Sequence, residues 1–258
     1  MGIVSLPELM IAPNGARRKK QDHAAVPVTI SETVDVAKAC FDAGADGIHA
    51  HVRDEEQNHT LDAGLYRELQ DEMALQVPQM VVQITTEAVG RYSATEQRQL
   101  VYDLTPRAAS VSLKEMMSDD DKVEAGRFYN WAFEFEIAVQ HILYSVEEVT
   151  RLFDLVREGV IPDGPLQVLF VLGRHTKDQQ SDPASLNLFL DALPQDKARP
   201  EWAICAFGKN EILCLVEAAK QGGKARIGFE NSIWNDDGSV AKDNAERVKA
   251  LVERIQAK

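Results

Sequence analysis

The chain has 258 residues, 45% of them hydrophobic, enough for a sizeable core. Its formal net charge of −13 argues against a nucleic-acid partner, because phosphate neutralisation needs a basic surface. No run approaches the ~18 apolar residues of a membrane span, and Met1–Glu8 has neither the charged nor the apolar region of a secretory signal. Three cysteines (Cys40, Cys205, Cys214) lie in apolar patterns at unrelated spacings, as expected of buried thiols in a reducing cytosol. The expected location is therefore cytoplasmic, with no membrane partner.

In chain order, short apolar or β-branched runs predict strands at Leu9–Pro13, Gly47–Val52, Met80–Thr85, Ala108–Leu113, Ala132–Ile137, Leu166–Leu172, Trp202–Phe207 and Ala225–Glu230. Most are near-continuous in apolar character, as parallel strands covered on both faces require. Helical patterns fall between them. After the first strand, Thr29-Ile30-Ser31-Glu32 is a capping box, Val36, Ala37, Cys40 and Phe41 make an apolar stripe, and Gly44 closes the helix. A second box, Ser145-Val146-Glu147-Glu148, opens a helix whose stripe is Val149, Leu152, Phe153 and Val156. Others start at Asn210, ending at Gly222-Gly223, and at about Asn244. Eight alternations without a repeat or linker predict one (β/α)8 TIM barrel over residues 1–258. An open doubly wound sheet would carry a Gly-rich turn after its first strand, and Pro13-Asn14-Gly15-Ala16 is not one.

Chemistry in such barrels sits at the C-terminal strand ends. His49 and His51, two apart at the end of strand two, point the same way, and paired histidines commonly bind metal. Glu230 ends strand eight. Barrel closure leaves only strand one between strands two and eight, so the three side chains can meet above it. Two imidazoles and a carboxylate are a catalytic-type zinc set with a coordination position left open. Strand parity turns Arg226 inward with Glu230, where it needs an acidic partner or an anionic ligand. Glu134 or Glu136 on strand five, whichever faces inward, is the expected partner. Asn14, Thr85, Glu87, Ser110, Ser112, Glu136 and His175 at other strand ends either line a polar pocket mouth or are ordinary surface polarity. Arg17-Arg18-Lys19-Lys20 is either a solvated loop or a clamp for a phosphate or carboxylate. His23, His59 and His141 have no partner readable in the sequence and are expected at the surface.

The stretches Ala12-Pro13-Asn14-Gly15-Ala16, Ala43-Gly44-Ala45, His49-Ala50-His51-Val52-Arg53-Asp54, Gln83-Ile84-Thr85-Thr86, Glu134-Phe135-Glu136, Phe170-Val171-Leu172-Gly173 and Arg226-Ile227-Gly228-Phe229-Glu230 together resemble the β-keto acid cleavage enzymes. The resemblance runs through nearly the whole chain. It implies a zinc-dependent barrel transferase, homo-oligomeric and often tetrameric. A β-keto acid and acetyl-CoA would be converted to acetoacetate and a new acyl-CoA by a retro-Claisen route. By position, His49, His51 and Glu230 match the Zn2+ ligands. Thr85 and Ser110 match hydroxyl residues that hold substrate, Arg226 the buried arginine, and Glu136 the acid on strand five.

Three departures from the family pattern alter the expectations. Asn231 stands where the family has its acidic base, and an amide cannot take a proton at neutral pH, so Glu87 is the candidate replacement. Arg17 replaces a glutamate that holds a substrate amino group, which favours a substrate with a second carboxylate. Gly173-Arg174-His175-Thr176 replaces a Gly-rich turn in the region used for the acyl-CoA. The competing readings are a metal-dependent hydrolase, to which His141 and His175 would lend support, a CoA-independent C–C lyase, and a non-catalytic metal- or ligand-binding member.

Overall fold

The structure, a computed structural model, describes residues 2–257. Eight parallel strands close into a barrel in chain order. They are β1 (Leu9–Ile11), β2 (Gly47–Ala50), β3 (Val81–Thr85), β4 (Ala108–Ser112), β5 (Ala138–Leu143), β6 (Gln167–Leu172), β7 (Glu201–Ala206) and β8 (Lys224–Ile227). The helices are α1 (Ile30–Asp42), α2 (Ala63–Gln76), α3 (Ala94–Leu104), α4 (Leu113–Met116), α5 (Lys122–Glu134), α6 (Val146–Arg157), α7 (Ser185–Asp191), α8 (Glu211–Lys220) and α9 (Asn244–Gln256). None of them is long and apolar enough to cross a membrane.

Local signals explain most of these elements. Thr29 and Glu32 close the capping box of α1 reciprocally, and Gly44 follows the helix at φ +111°. Ser145 caps α6, but Glu148 turns its carboxylate to the Tyr144 N–H rather than to Ser145. Helix α2 buries Tyr66, Leu69 and Met73 from one face against the barrel, each burial stabilising by roughly 1.5–3 kcal/mol.

Register divides the barrel interior in two. Pairing of His49 with Gln83, Thr85 with Ser110 and Ser110 with Gln140 turns these polar side chains inward on β2–β5. Met10, Ile142, Leu169, Val171, Ala203, Cys205 and Phe207 fill the opposite half with apolar surface. The larger core lies outside the strands, between sheet and helices.

Strand five departs from expectation. Residues 132–134 finish α5, and the strand begins only at Ala138. The alternation Phe133-Glu134-Phe135-Glu136 imitates a half-buried strand, yet Phe133 and Phe135 are exposed, and Phe135 stacks back on Trp131 one helical turn earlier. Glu136 occupies the turn before β5 at φ +55°, exposed, at the N-terminal end of the barrel and so opposite the strand ends that carry the chemistry. The displaced strand keeps its place between β4 and β6, so the order of the barrel is unchanged.

Candidate active site

His49 is the third residue of β2, and His51 follows the strand by one residue. Glu230 lies beyond β8 rather than on it, on a turn whose Glu230 N–H donates to the Ala12 carbonyl of the neighbouring β1 end. The strand is shorter than the sequence suggested, but Glu230 still reaches the place above β1 that barrel closure predicts. The Nε2 atoms of His49 and His51 are 3.1 Å apart, and Glu230 Oε2 lies 3.6 and 3.7 Å from them. Tetrahedral zinc with bonds of ~2.0–2.1 Å needs donor atoms about 3.3 Å apart. Gly15, at φ +58°, makes room for this carboxylate: a Cβ there would meet Glu230 Cγ at 2.5 Å.

Hydrogen bonding fixes which imidazole atoms are bare. His49 Nδ1 donates to Gln83 Oε1 (2.9 Å), and Gln83 in turn donates to Gln140 Oε1 (3.0 Å). His59 Nε2 meets the Glu87 carbonyl at 2.9 Å and must donate to it, so His59 Nδ1 accepts from His51 Nδ1 (3.3 Å). Both Nε2 atoms are then lone-pair donors facing each other. Burial first, and then Arg226 for His49 and His59 for His51, hold both imidazoles well below the ordinary histidine range and hence neutral. Glu230 Oε2 is buried without a hydrogen-bond partner among the described residues. Three buried acceptors aimed at one point repel one another unless a cation joins them, so His49, His51 and Glu230 fit a metal ion.

A cavity opens beside these three at the mouth of the barrel. Arg226 lines it, donating through Nη2 to Glu230 Oε1 (3.3 Å) and weakly to Cys205 Sγ (3.6 Å). Its Nε and Nη1 have no partner among the described residues and are free for an anion. The expected acid on strand five is therefore not its partner; Glu230 is. Asn14 donates to the Pro27 and His51 carbonyls, each at 3.0 Å, and lines the cavity with Thr85. Ser110 is buried one inward position below the cavity-lining Ser112. Arg17, Arg18 and Arg174 also line the cavity, with Arg174 stacked over Phe207. Arg53 supports this side by donating to the carbonyls of Gly15, Ala16 and Arg18.

Glu87 reaches into the cavity with its carboxylate 3.9 Å from His51 Nε2. Its stretch is held by Thr85 Oγ1 on the Glu87 N–H, by Glu115 on the Ala88 N–H and by Gln97 on the Thr86 carbonyl. Burial, then the nearby Glu230, push its carboxyl up to about 7. Asn231 is buried outside the cavity lining, and neither atom of its amide finds a partner among the described residues.

Two histidines overturn the surface expectation. His59 is buried behind His51 and orients it, a role unreadable because the loop that returns it to His51 has no periodic signal. His141 is buried facing away from the interior, against Tyr129 between β5 and α5, and so cannot serve a hydrolase-type metal site in the barrel mouth. Gln83 was discoverable: it shares strand parity with Thr85.

A sequence model of the family described as "beta-keto acid cleavage enzyme" matches residues 9–257. The chain belongs to the β-keto acid cleavage enzyme family. Curated relatives of this cleavage-enzyme chain include 3-keto-5-aminohexanoate cleavage enzyme of Acetoanaerobium sticklandii, 25% identical over 92% of this chain and 87% of that protein. Another is 3-oxoadipate:acetyl-CoA acetyltransferase of Cupriavidus necator, 24% identical over 96% of this chain and 87% of that one. Among solved structures, ObcA in complex with oxaloacetate superposes with a TM-score of 0.68 at 15% identity, over 90% of this chain and 64% of that chain. The cleavage-enzyme chain thus spans less than two thirds of ObcA, and at this identity the likeness concerns the fold alone.

Proposed function

We propose that this protein moves the acyl group of a β-keto acid onto coenzyme A at a zinc site made by His49, His51 and Glu230. In the overall exchange, R–CO–CH2–COO− and CH3–CO–SCoA give R–CO–SCoA and CH3–CO–CH2–COO−. The observation that carries this reading is the convergence of three buried, mutually repelling acceptors beside Arg226, within a chain of this family. The names of the relatives from Acetoanaerobium sticklandii and Cupriavidus necator support the class of reaction. Two imidazoles and a carboxylate favour zinc among divalent ions. Bound there, zinc supplies Lewis acidity that polarises a carbonyl oxygen and stabilises developing negative charge.

The chain's own groups do the rest. Arg226 takes the substrate carboxylate through its two unpartnered nitrogens. Thr85 and Asn14 position the keto acid, with Ser110 beneath them. Asn231 offers no basic atom and lies outside the lining, so Glu87 accepts and returns the proton at the CH2 carbon. Cavity-lining cations (Arg17, Arg18, Arg174, Arg226) outnumber carboxylates (Glu87, Glu115, Glu230) before any metal is counted. That balance suits a dicarboxylic β-keto acid, its second carboxylate lying towards Arg17.

The test is mass spectrometry of thioesters after incubating zinc-loaded protein with acetyl-CoA and neutral, cationic or dicarboxylic β-keto acids. A new acyl-CoA together with acetoacetate is expected. Keto acid consumed without a new thioester would point instead to CoA-independent cleavage. For a dicarboxylic substrate, Arg17→Ala should raise KM roughly two- to fivefold, the value of one exposed charge pair. KM for a neutral keto acid should not move; a uniform rise would remove Arg17 from substrate selection.

A further inference from the structure

The carboxylate of Glu230 faces two imidazole lone pairs, an arrangement it would leave if its turn were free. The turn is not free, and what holds it lies outside the cavity. Asn244, the first residue of α9, accepts from the Phe229 N–H (2.9 Å) and donates to the Pro13 carbonyl (3.1 Å), tying the β8 turn to the end of β1. Glu211, the first residue of α8, accepts from the Gly228 N–H at 3.3 Å through Oε1. Its other oxygen is paired with Arg247 of α9, and both side chains of that pair are completely buried. Gly228 itself stands at φ +140°, where a Cβ would meet the Ala12 carbonyl oxygen at 2.4 Å. Phe229 is buried between Val26 and Ala241, so the turn is anchored on both sides of Glu230.

We infer that Glu211, Asn244 and Arg247 form a positioning clamp that holds the Gly228–Glu230 turn, and through it the Glu230 carboxylate, in the metal-binding arrangement before an ion arrives. The inference rests on the metal reading of the site. A buried ion pair gains little over apolar packing of the same volume, so its contribution here is directional: Arg247 aims the Glu211 carboxylate at one backbone N–H. Two helix N-termini therefore help set the third ligand, beyond the Arg226 contact to its carboxylate and the bond of its own N–H to the Ala12 carbonyl. His49 and His51 are aimed separately, by Gln83 and His59.

The experiment measures zinc affinity by competition with a chromophoric chelator for Asn244→Ala and Glu211→Gln, each in the wild-type and the Glu230→Ala background, with titration carried to millimolar zinc. Loss of an outer support typically costs 10–100-fold in metal affinity. Each variant is expected to weaken zinc binding about tenfold in the wild-type background and not at all once Glu230 is gone. Amide exchange at Phe229 and Glu230 should quicken in the metal-free variants, while exchange in β4–β6 stays unchanged. Equal losses in both backgrounds, or no loss in either, would overturn the clamp. A wild type that bound no zinc would bring down the metal reading, and the clamp with it, a result distinct from either. Should Glu211→Gln fail to fold with Arg247 left buried and unpaired, Asn244→Ala alone decides, since it removes no charge.

Discussion

His49→Ala will lose the zinc that we expect the wild type to hold at about one ion per chain, and cleavage will fall by at least ~10^3-fold. The size follows from what is removed. Two remaining ligands cannot hold the ion in a fixed place, and Lewis-acid stabilisation worth several kcal/mol goes with it. His49 is the best of the three ligands to change, because its support, Gln83, keeps a second bond to Gln140 when the imidazole is gone. The fold should then persist, and circular dichroism and thermal unfolding of the metal-free proteins will show whether it does. Elemental analysis is the deciding measurement. Wild-type protein purified without metal, and unable to take up zinc afterwards, would remove His49, His51 and Glu230 as a metal site.

Glu87→Gln is expected to lower kcat by ~10^2–10^4-fold, the usual cost of losing a general base, while KM and zinc content stay close to the wild-type values. The substitution keeps the shape of the side chain, and the Glu87 carbonyl that orients His59 belongs to the backbone and is untouched. Glu87 holds its place through contacts made by its neighbours, Ala88 to Glu115 and Thr86 to Gln97, so the stretch should not relax. A variant with undiminished kcat would show that Glu87 is not the base. A faster Asn231→Asp enzyme in that same series would place the proton transfer beside Glu230 on the β8 turn instead.

The barrel was legible because its signals are local or periodic. Capping at Thr29 and Ser145 and the near-continuous apolar strands each follow from a short stretch of chain. The His-x-His pair was legible too, since alternation along a strand puts both rings on one side. Strand five was not. Its decoy, Phe133-Glu134-Phe135-Glu136, has the period of a strand, but it lies at the end of α5, whose buried face is Ala125, Phe128, Tyr129 and Ala132. Glu136 was lost to the site for that reason.

What the amino-acid sequence determined by itself was the order of eight strand–helix units, the inward face of each well-marked strand, and the donor set of two imidazoles and a carboxylate. What only the tertiary structure decided was how those donors are aimed. Gln83 behind His49, His59 behind His51, and Glu211 with Asn244 behind Glu230 come from other strands, loops and helices. Each acts through a hydrogen bond between residues 8 to 34 positions apart on different elements or loops, and no spacing or period records such a bond. It exists because barrel closure brings the C-terminal ends of the strands and the helix N-termini that follow them to one mouth, where directional bonds can form between residues the chain keeps apart.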